Sequence, residues 1–202
     1  MTSLVLVRHG ETDWNRIGRV QGLTDIPLND LGREQARQAG ERLAGERIDA
    51  VAASPLSRAA DTARIVADRI GILDVEIVPA LAERDYGEAE GMTDADVKRR
   101  WGGRLQARES REQVVERVLP ALLDLADRHP DETVLVVTHG GVIGSLVRHA
   151  TRWTWPERGV RIDNGSDHRF DVVDGELTLV TFAGRPWSAD LLPPVEPLTT
   201  AG

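Results

Sequence analysis

Leu4-Val5-Leu6-Val7-Arg8-His9-Gly10-Glu11-Thr12-Asp13-Trp14-Asn15 decides how this chain folds. Leu4 to Val7 are four apolar residues in a row, two of them β-branched. A strand with no polar face is buried on both sides, as in a parallel sheet flanked by helices. The run stops at Arg8 and His9, and Gly10 releases the backbone into a turn. An arginine and a histidine therefore stand at the carboxyl end of a buried strand. In open α/β sheets that edge is where ligands bind.

Two more segments share the design. Thr133–Thr138 (TVLVVT) is another doubly buried strand, and it too ends in a histidine and a glycine, His139-Gly140. Asp49–Ala53 is a third such strand. It runs into Ser54-Pro55, read as an N-cap followed by proline at the first helical position. That helix, from Pro55 to about Ile70, carries Arg58 in its first turn. If the three strands lie in one parallel sheet, Arg8, His9, Arg58 and His139 emerge at the same edge. Arginines beside a helix N-terminus favour a phosphate, and a histidine among them points to chemistry on it. A neutral imidazole can take a phosphoryl group covalently, provided its other nitrogen has a partner that fixes the tautomer. The leaving oxygen needs a proton donor. The acidic, glycine-broken loop Leu81–Gly91 offers Glu83, Asp85, Glu88 and Glu90, and spacing does not choose among them.

The remaining elements fill in the architecture. Glu11–Gly22 reads as a short helix and a loop over the strand end. Asn29 caps a helix over 31–43, with Leu31, Ala36, Ala39, Leu43 and Ala44 on its inner side. Val75–Val78 is a short strand. Thr93 caps a short helix ending near Trp101. Ser110 and Gln113 form a capping box for a longer helix that contains Pro120, where a kink is expected. A helix follows His139 to about His149. Asp167–Val173 and Glu176–Phe182 flank the hairpin turn Asp174-Gly175. Strand–helix alternation gives an α/β fold with a parallel sheet between helical layers. Residues 1–184 form one domain, and the proline-rich stretch 185–202 reads as a loose tail.

Composition narrows the function. The chain has 202 residues, enough for one core, and its formal charge of −8 argues against a nucleic-acid partner. It has no cysteine, which excludes thiolate nucleophiles and thiolate metal sites. No apolar run is long enough for a leader or a membrane span, so a cytoplasmic protein is expected. No histidine pair shows HxxxH or similar spacing, so no metal and no cofactor is expected. His129, His149 and His168 read as structural. Trp14 either lines the site or anchors its loop. Trp153 and Trp155 read as packing, or as an interface if the chain forms a homodimer. Lys98, Arg99 and Arg100 read as a solvated helix face, the alternative being a contact with a substrate carboxylate.

In this order the motifs resemble those of the histidine phosphatase superfamily, the phosphoglycerate mutase-like proteins. Arg8-His9-Gly10-Glu11-Thr12 with Asn15 is similar to its signature, and Gln21-Gly22 to the loop after it. Ser54-Pro55-Leu56-Ser57-Arg58-Ala59 resembles its second arginine motif. Leu81-Ala82-Glu83-Arg84-Asp85-Tyr86-Gly87 resembles its acid loop, which selects Glu83. Glu109-Ser110, Thr138-His139-Gly140-Gly141 and Asn164-Gly165-Ser166 resemble its later motifs. The resemblance implies a three-layer α/β/α sandwich with a mostly parallel sheet and metal-independent phosphoryl transfer on a small phosphorylated metabolite. His9 would take the phosphoryl group, while Arg8, Arg58 and His139 hold its oxygens. Glu83 would protonate the leaving group and then activate water. Asn15, Gln21, Gly22 and the Gly140 amide would help bind phosphate or the rest of the substrate.

Only seventeen residues separate Gly91 from Glu109. Mutases of this family carry a longer insertion there that closes over the substrate. A shorter segment leaves the site open to water and favours a phosphatase. A 2,3-bisphosphoglycerate-dependent mutase and a non-catalytic phospho-ligand binding module are the alternatives. Arg108 stands where the family usually has glycine before Glu-Ser.

Overall fold

The computed structural model describes residues 1–155 and 160–188. Seven strands form one sheet: β1 (Thr2–Arg8), β2 (Ala50–Ala53), β3 (Glu76–Ile77), β4 (Thr133–Thr138), β5 (Asp167–Val173), β6 (Glu176–Phe182) and β7 (Arg185–Pro186). Their order is β3-β2-β4-β1-β5-β6-β7. The pairs β3-β2, β2-β4 and β4-β1 are parallel, and β1-β5, β5-β6 and β6-β7 are antiparallel. The helices are α1 (Asp13–Arg16), α2 (Asp30–Leu43), α3 (Ser57–Ile70), α4 (Asp94–Trp101), α5 (Arg111–Arg128) and α6 (Gly140–Ala150).

The alternation of side chains along each strand feeds two cores. Leu4 and Leu6 of β1, with Val134 and Val136 of β4, pack against Val114, Val118 and Leu122 of α5 and Ile143 and Leu146 of α6. Val5 and Val7, with Leu135 and Val137, face Ala39 and Leu43 of α2 and Ala59, Ala63 and Val66 of α3. Each central strand is thus buried on both faces, which is why its sequence reads as an unbroken apolar run. At about 25 cal/mol per Å² of apolar area removed from water, each such leucine or valine stabilises the sheet by roughly 1.5–3 kcal/mol.

Several expectations need correction. Ser54 does not cap α3. The helix begins at Ser57, and Asp25 from a distant loop accepts from the Ser57 amide at 2.9 Å and its hydroxyl at 2.8 Å. The Ser54 hydroxyl instead meets His139. On α2, Leu31 is half exposed and Ala44 lies on the surface, so neither joins the inner stripe. Gly32 and Gly40 take those places, because the backbones come too close for side chains. A Cβ on Gly10 would stand 2.2 Å from the Gly32 carbonyl oxygen, and one on Gly40 2.7 Å from Arg69 Cβ. Finally, residues 185–187 are not a loose tail. β7 extends the sheet, and Trp187 stacks on Trp155 at 4.6 Å between ring centroids. Residues 189–202 of the expected tail lie outside the described residues.

Other readings hold. Asn29 caps α2 by accepting from the Gly32 amide, and Thr93 and Ser110 form capping boxes for α4 and α5. Asp174 and Gly175, with φ of 51° and 78°, make the β5-β6 turn. Lys98, Arg99 and Arg100 are exposed, and Arg100 pairs with Glu88.

Candidate active site

The parallel strands β1, β2 and β4 end side by side, and their carboxyl edge opens into a cavity of about 800 Å³. Arg8, His9, Asn15, Gln21, Gly22, Arg58, Glu83 and Gly140 all line it. Of the residues expected at the site, only His139 stands off the wall. It is fully buried behind His9, with the two ring centroids 5.1 Å apart.

His9 Nδ1 lies 2.7 Å from the Gly10 carbonyl oxygen. A carbonyl only accepts, so Nδ1 carries the hydrogen and Nε2 keeps its lone pair. Burial, then the charges of Arg8 and Arg58, hold the His9 pKa well below its ordinary value. A neutral ring is therefore favoured, with Nε2 available to act as a nucleophile. The Asn164 amide nitrogen donates to the His9 carbonyl at 2.9 Å and to Asn15 Oδ1 at 3.2 Å. The Gly165 amide donates to the Arg8 carbonyl at 2.9 Å, which closes the end of β1.

Arg58 is fully buried in the first turn of α3. Its terminal nitrogens donate to the Thr24 carbonyl at 3.0 Å and the Gly22 carbonyl at 2.7 Å. Burial lowers its pKa to about 10, so it stays charged at neutral pH. Arg8 donates to the Ile162 carbonyl. The Ser54 hydroxyl sits 2.7 Å from His139 Nε2. Among the described residues five buried side-chain atoms lack a hydrogen-bond partner, and four belong to this edge: Arg8 Nε, Arg58 Nε, Gln21 Nε2 and His139 Nδ1. Buried polar atoms left unpaired are expensive and rare, at about 1–3 kcal/mol each. Three arginine and glutamine donors and a histidine nitrogen at one sheet edge could together meet an anion with several acceptor oxygens.

The acid loop sorts itself by contact. Glu90 accepts from the Leu23 and Thr24 amides at 2.9 and 2.8 Å, and so holds the loop that binds Arg58. Glu88 pairs with Arg100, and Asp85 with Arg108 at 3.2 Å. Glu83 alone of the four lines the cavity. Its carboxylate accepts from the Gly141 amide at 3.0 Å and the Arg84 amide at 2.8 Å. Behind it Arg117 donates to the Ala80 and Ala82 carbonyls at 2.6 and 3.0 Å and to both oxygens of Glu109 at 2.9 Å. Arg108 does not block this arrangement, because it pairs with Asp85 and is largely exposed.

Sequence reasoning missed Tyr86, Arg111, Arg148 and Arg161, all on the cavity wall. Loss of solvent and the Glu83 charge raise the Tyr86 pKa to about 12, so its hydroxyl remains a donor. Tyr86 sat inside a quoted motif, yet nothing in its spacing set it apart from a core aromatic. Trp14 is an anchor: its ring lies over Gly91 and is absent from the cavity wall. His168 is a buried structural residue bonded to Ser166 and to the Ala183 amide.

A sequence profile of the histidine phosphatase superfamily (branch 1) matches residues 4–184. The uncharacterized phosphatase PhoE of Bacillus subtilis (strain 168) is 40% identical over 148 residues, spanning 73% of this chain and 76% of that protein. A metal-independent phosphoserine phosphatase of Arabidopsis thaliana is 37% identical over 171 residues, covering 75% and 70%. Proteins named as phosphoglycerate mutases also match. A solved structure of a mycobacterial glucosyl-3-phosphoglycerate phosphatase, complexed with VO3, superposes with a TM-score of 0.81 at 32% identity, over 90% of this chain and 98% of that one. The motif series, the edge where three strands deliver their histidines and arginines, and a profile match over nearly the whole length agree: this chain belongs to the histidine phosphatase superfamily, branch 1.

Proposed function

We propose that this chain is a phosphatase that hydrolyses a small phosphomonoester through a phosphohistidine at His9, without a metal ion. The unpaired polar atoms of Arg8, Arg58, Gln21 and His139 at the edge that holds His9 carry the reading. In the first step His9 Nε2 attacks phosphorus and the bond to the ester oxygen breaks. Glu83, holding a proton at that moment, passes it to the departing alkoxide. In the second step water attacks the phosphorus, Glu83 takes its proton, the P–N bond breaks and phosphate leaves. Arg8, Arg58 and His139, with Gln21, meet the charge on the three transferred oxygens, the task that cations perform in other phosphoryl-transfer sites. Asn15, Gly22 and the Gly140 amide shape the mouth. The relatives that are named phosphatases support hydrolysis, and so does the short 92–108 segment, which brings only Leu105 and Asp94 to the cavity.

The test is a labelled phosphomonoester mixed with enzyme and quenched in alkaline denaturant. The expected product is one label on His9, stable in base, lost in acid and absent from His9→Ala. Turnover in excess chelator should equal turnover without it. Steady phosphate release with no label at any time, or a chelator loss reversed by zinc or magnesium, overturns the proposal. Rapid 2,3-bisphosphoglycerate-dependent interconversion of phosphoglycerates would make the chain a mutase instead.

A further inference from the structure

At about 800 Å³ the cavity is larger than a phosphoryl group needs, and part of its lining has its own chemistry. Gly140, Gly141, Gly144 and Arg148 of α6 all face it. At about 1.5 Å of rise per residue, Gly144 lies roughly 6 Å along the wall from Gly140. A Cβ on Gly144 would come 3.3 Å from Arg111 Nη1, so the missing side chain makes room for that guanidinium. Arg111 is half-buried, and its one side-chain hydrogen bond is a 3.5 Å contact with Ser145 Oγ. Arg161 lines the same cavity. Among the described residues neither arginine pairs with a carboxylate, although Glu11, Asp94 and Asp163 also line the cavity. Arg117, on the same helix as Arg111, shows the ordinary outcome: its Nε and Nη2 both grip Glu109.

Arg111 is also badly placed for stability. It is the first residue of α5, where the helix dipole disfavours a cation. Burial and the charges of Arg84 and Arg148 push its pKa down, and Tyr86 and Glu83 offset this only in part. A local rule broken on a cavity wall marks a candidate functional position.

We propose that the substrate carries a second anionic group, a carboxylate or a second phosphate, about one helical turn from the scissile phosphoryl group, and that Arg111 and Arg161 bind it. The proposal rests on the phosphatase reading and narrows its substrate class. Most phosphomonoesters, such as those of neutral alcohols, would then be poor substrates.

Matched probes test it. O-phosphoserine is compared with O-phosphoethanolamine, 3-phosphoglycerate with glycerol 3-phosphate, and propane-1,3-diol bisphosphate with propyl phosphate. The last pair separates a phosphate from the carboxylate of the first two. At least one anion-bearing probe should exceed its twin in kcat/KM by about tenfold or more, chiefly through KM. Arg111→Gln should bring that ratio to within about twofold of unity, and Arg111→Lys should restore part of it. Ratios near one in the wild type, or a ratio unchanged in folded Arg111→Gln, overturn the subsite. If Arg111→Gln fails to fold, Arg161→Gln is read by the same ratio. If the wild type releases phosphate from no probe, the phosphatase reading fails by itself. Calorimetric titration of His9→Ala with O-phosphoserine and O-phosphoethanolamine then decides the subsite: tighter phosphoserine binding supports it, and equal affinity ends it.

Discussion

The hydrogen on His9 Nδ1 is the smallest feature on which the proposed chemistry depends. It is fixed by the Gly10 carbonyl at 2.7 Å, an acceptor one residue away. A backbone partner cannot rotate away or titrate, so the tautomer is set by the turn itself. Protonating Nε2 would add a cation beside Arg8 and Arg58 on a ring that is itself almost fully buried. The sign follows: the neutral form is favoured, so the ring stays unprotonated as pH falls through 6.5. NMR of histidine-labelled protein should show His9 neutral, with hydrogen on Nδ1, from pH 8 to below pH 6. Arg58→Gln removes one of the repelling charges and should move the His9 titration upward. A wild-type midpoint at or above 6.5 would contradict this account. The sequence placed arginine and histidine side by side. It could not show that the histidine's partner is its neighbour's carbonyl, because that depends on the conformation of the turn.

At the scale of elements, the first turn of α6 does two jobs with two glycines. Gly140 faces the cavity beside Arg8, and the Gly141 amide holds Glu83. A Cβ on Gly141 would fall 2.4 Å from Glu83 Oε1 and 2.9 Å from the Tyr86 hydroxyl. Gly141→Ala must therefore push the carboxylate aside. The loop behind it is pinned by Arg117, so the displacement falls on the side chain and the fold should survive. General acid–base catalysis contributes about 10²–10⁴-fold. The variant should lose at least about a hundredfold in kcat with an unchanged circular dichroism spectrum. Activity within a few-fold of wild type would remove Glu83 from its proposed role. The elements themselves were legible wherever a local rule governs them: apolar runs for β1 and β4, capping boxes for α4 and α5, Asp-Gly for the β5-β6 turn. They were illegible where the partner is distant. Asp25 caps α3 across thirty-odd positions, and Gly32 packs against Gly10 where hydrophobic periodicity expects a side chain.

Across the whole molecule, topology turns order in sequence into proximity. Placing β4 between β2 and β1 sets His139, Ser54 and His9 at one edge, and the motif order anticipated this. This part of the cavity lining was not anticipated, since Arg111, Arg148 and Arg161 belong to no motif; the first two come together through the packing of α5 on α6, and Arg161 comes from the segment before β5. Three histidines are buried among the described residues: His9, His139 and His168. All three have pKa values lowered by burial, His168 to about 4. His168 Nδ1 accepts from the Ala183 amide at 3.2 Å, so a proton there would face a donor. The unfolded chain protonates these rings near pH 6.5, whereas the folded chain resists. Between those values the unfolded state binds more protons, so folding stability is complete above about pH 6.5 and declines as pH falls. For His168 the decline continues to about pH 4 and amounts to about 3 kcal/mol. Urea denaturation at a series of pH values, for wild type and His168→Gln, isolates this contribution because carboxylate titration is common to both. The stability of His168→Gln should be lower at pH 7 but flatter between pH 6.5 and pH 4, so the two curves converge in acid. Parallel curves over that range would mean that His168 is charged in the folded protein, and with it the assignment of Nδ1 as acceptor would fall.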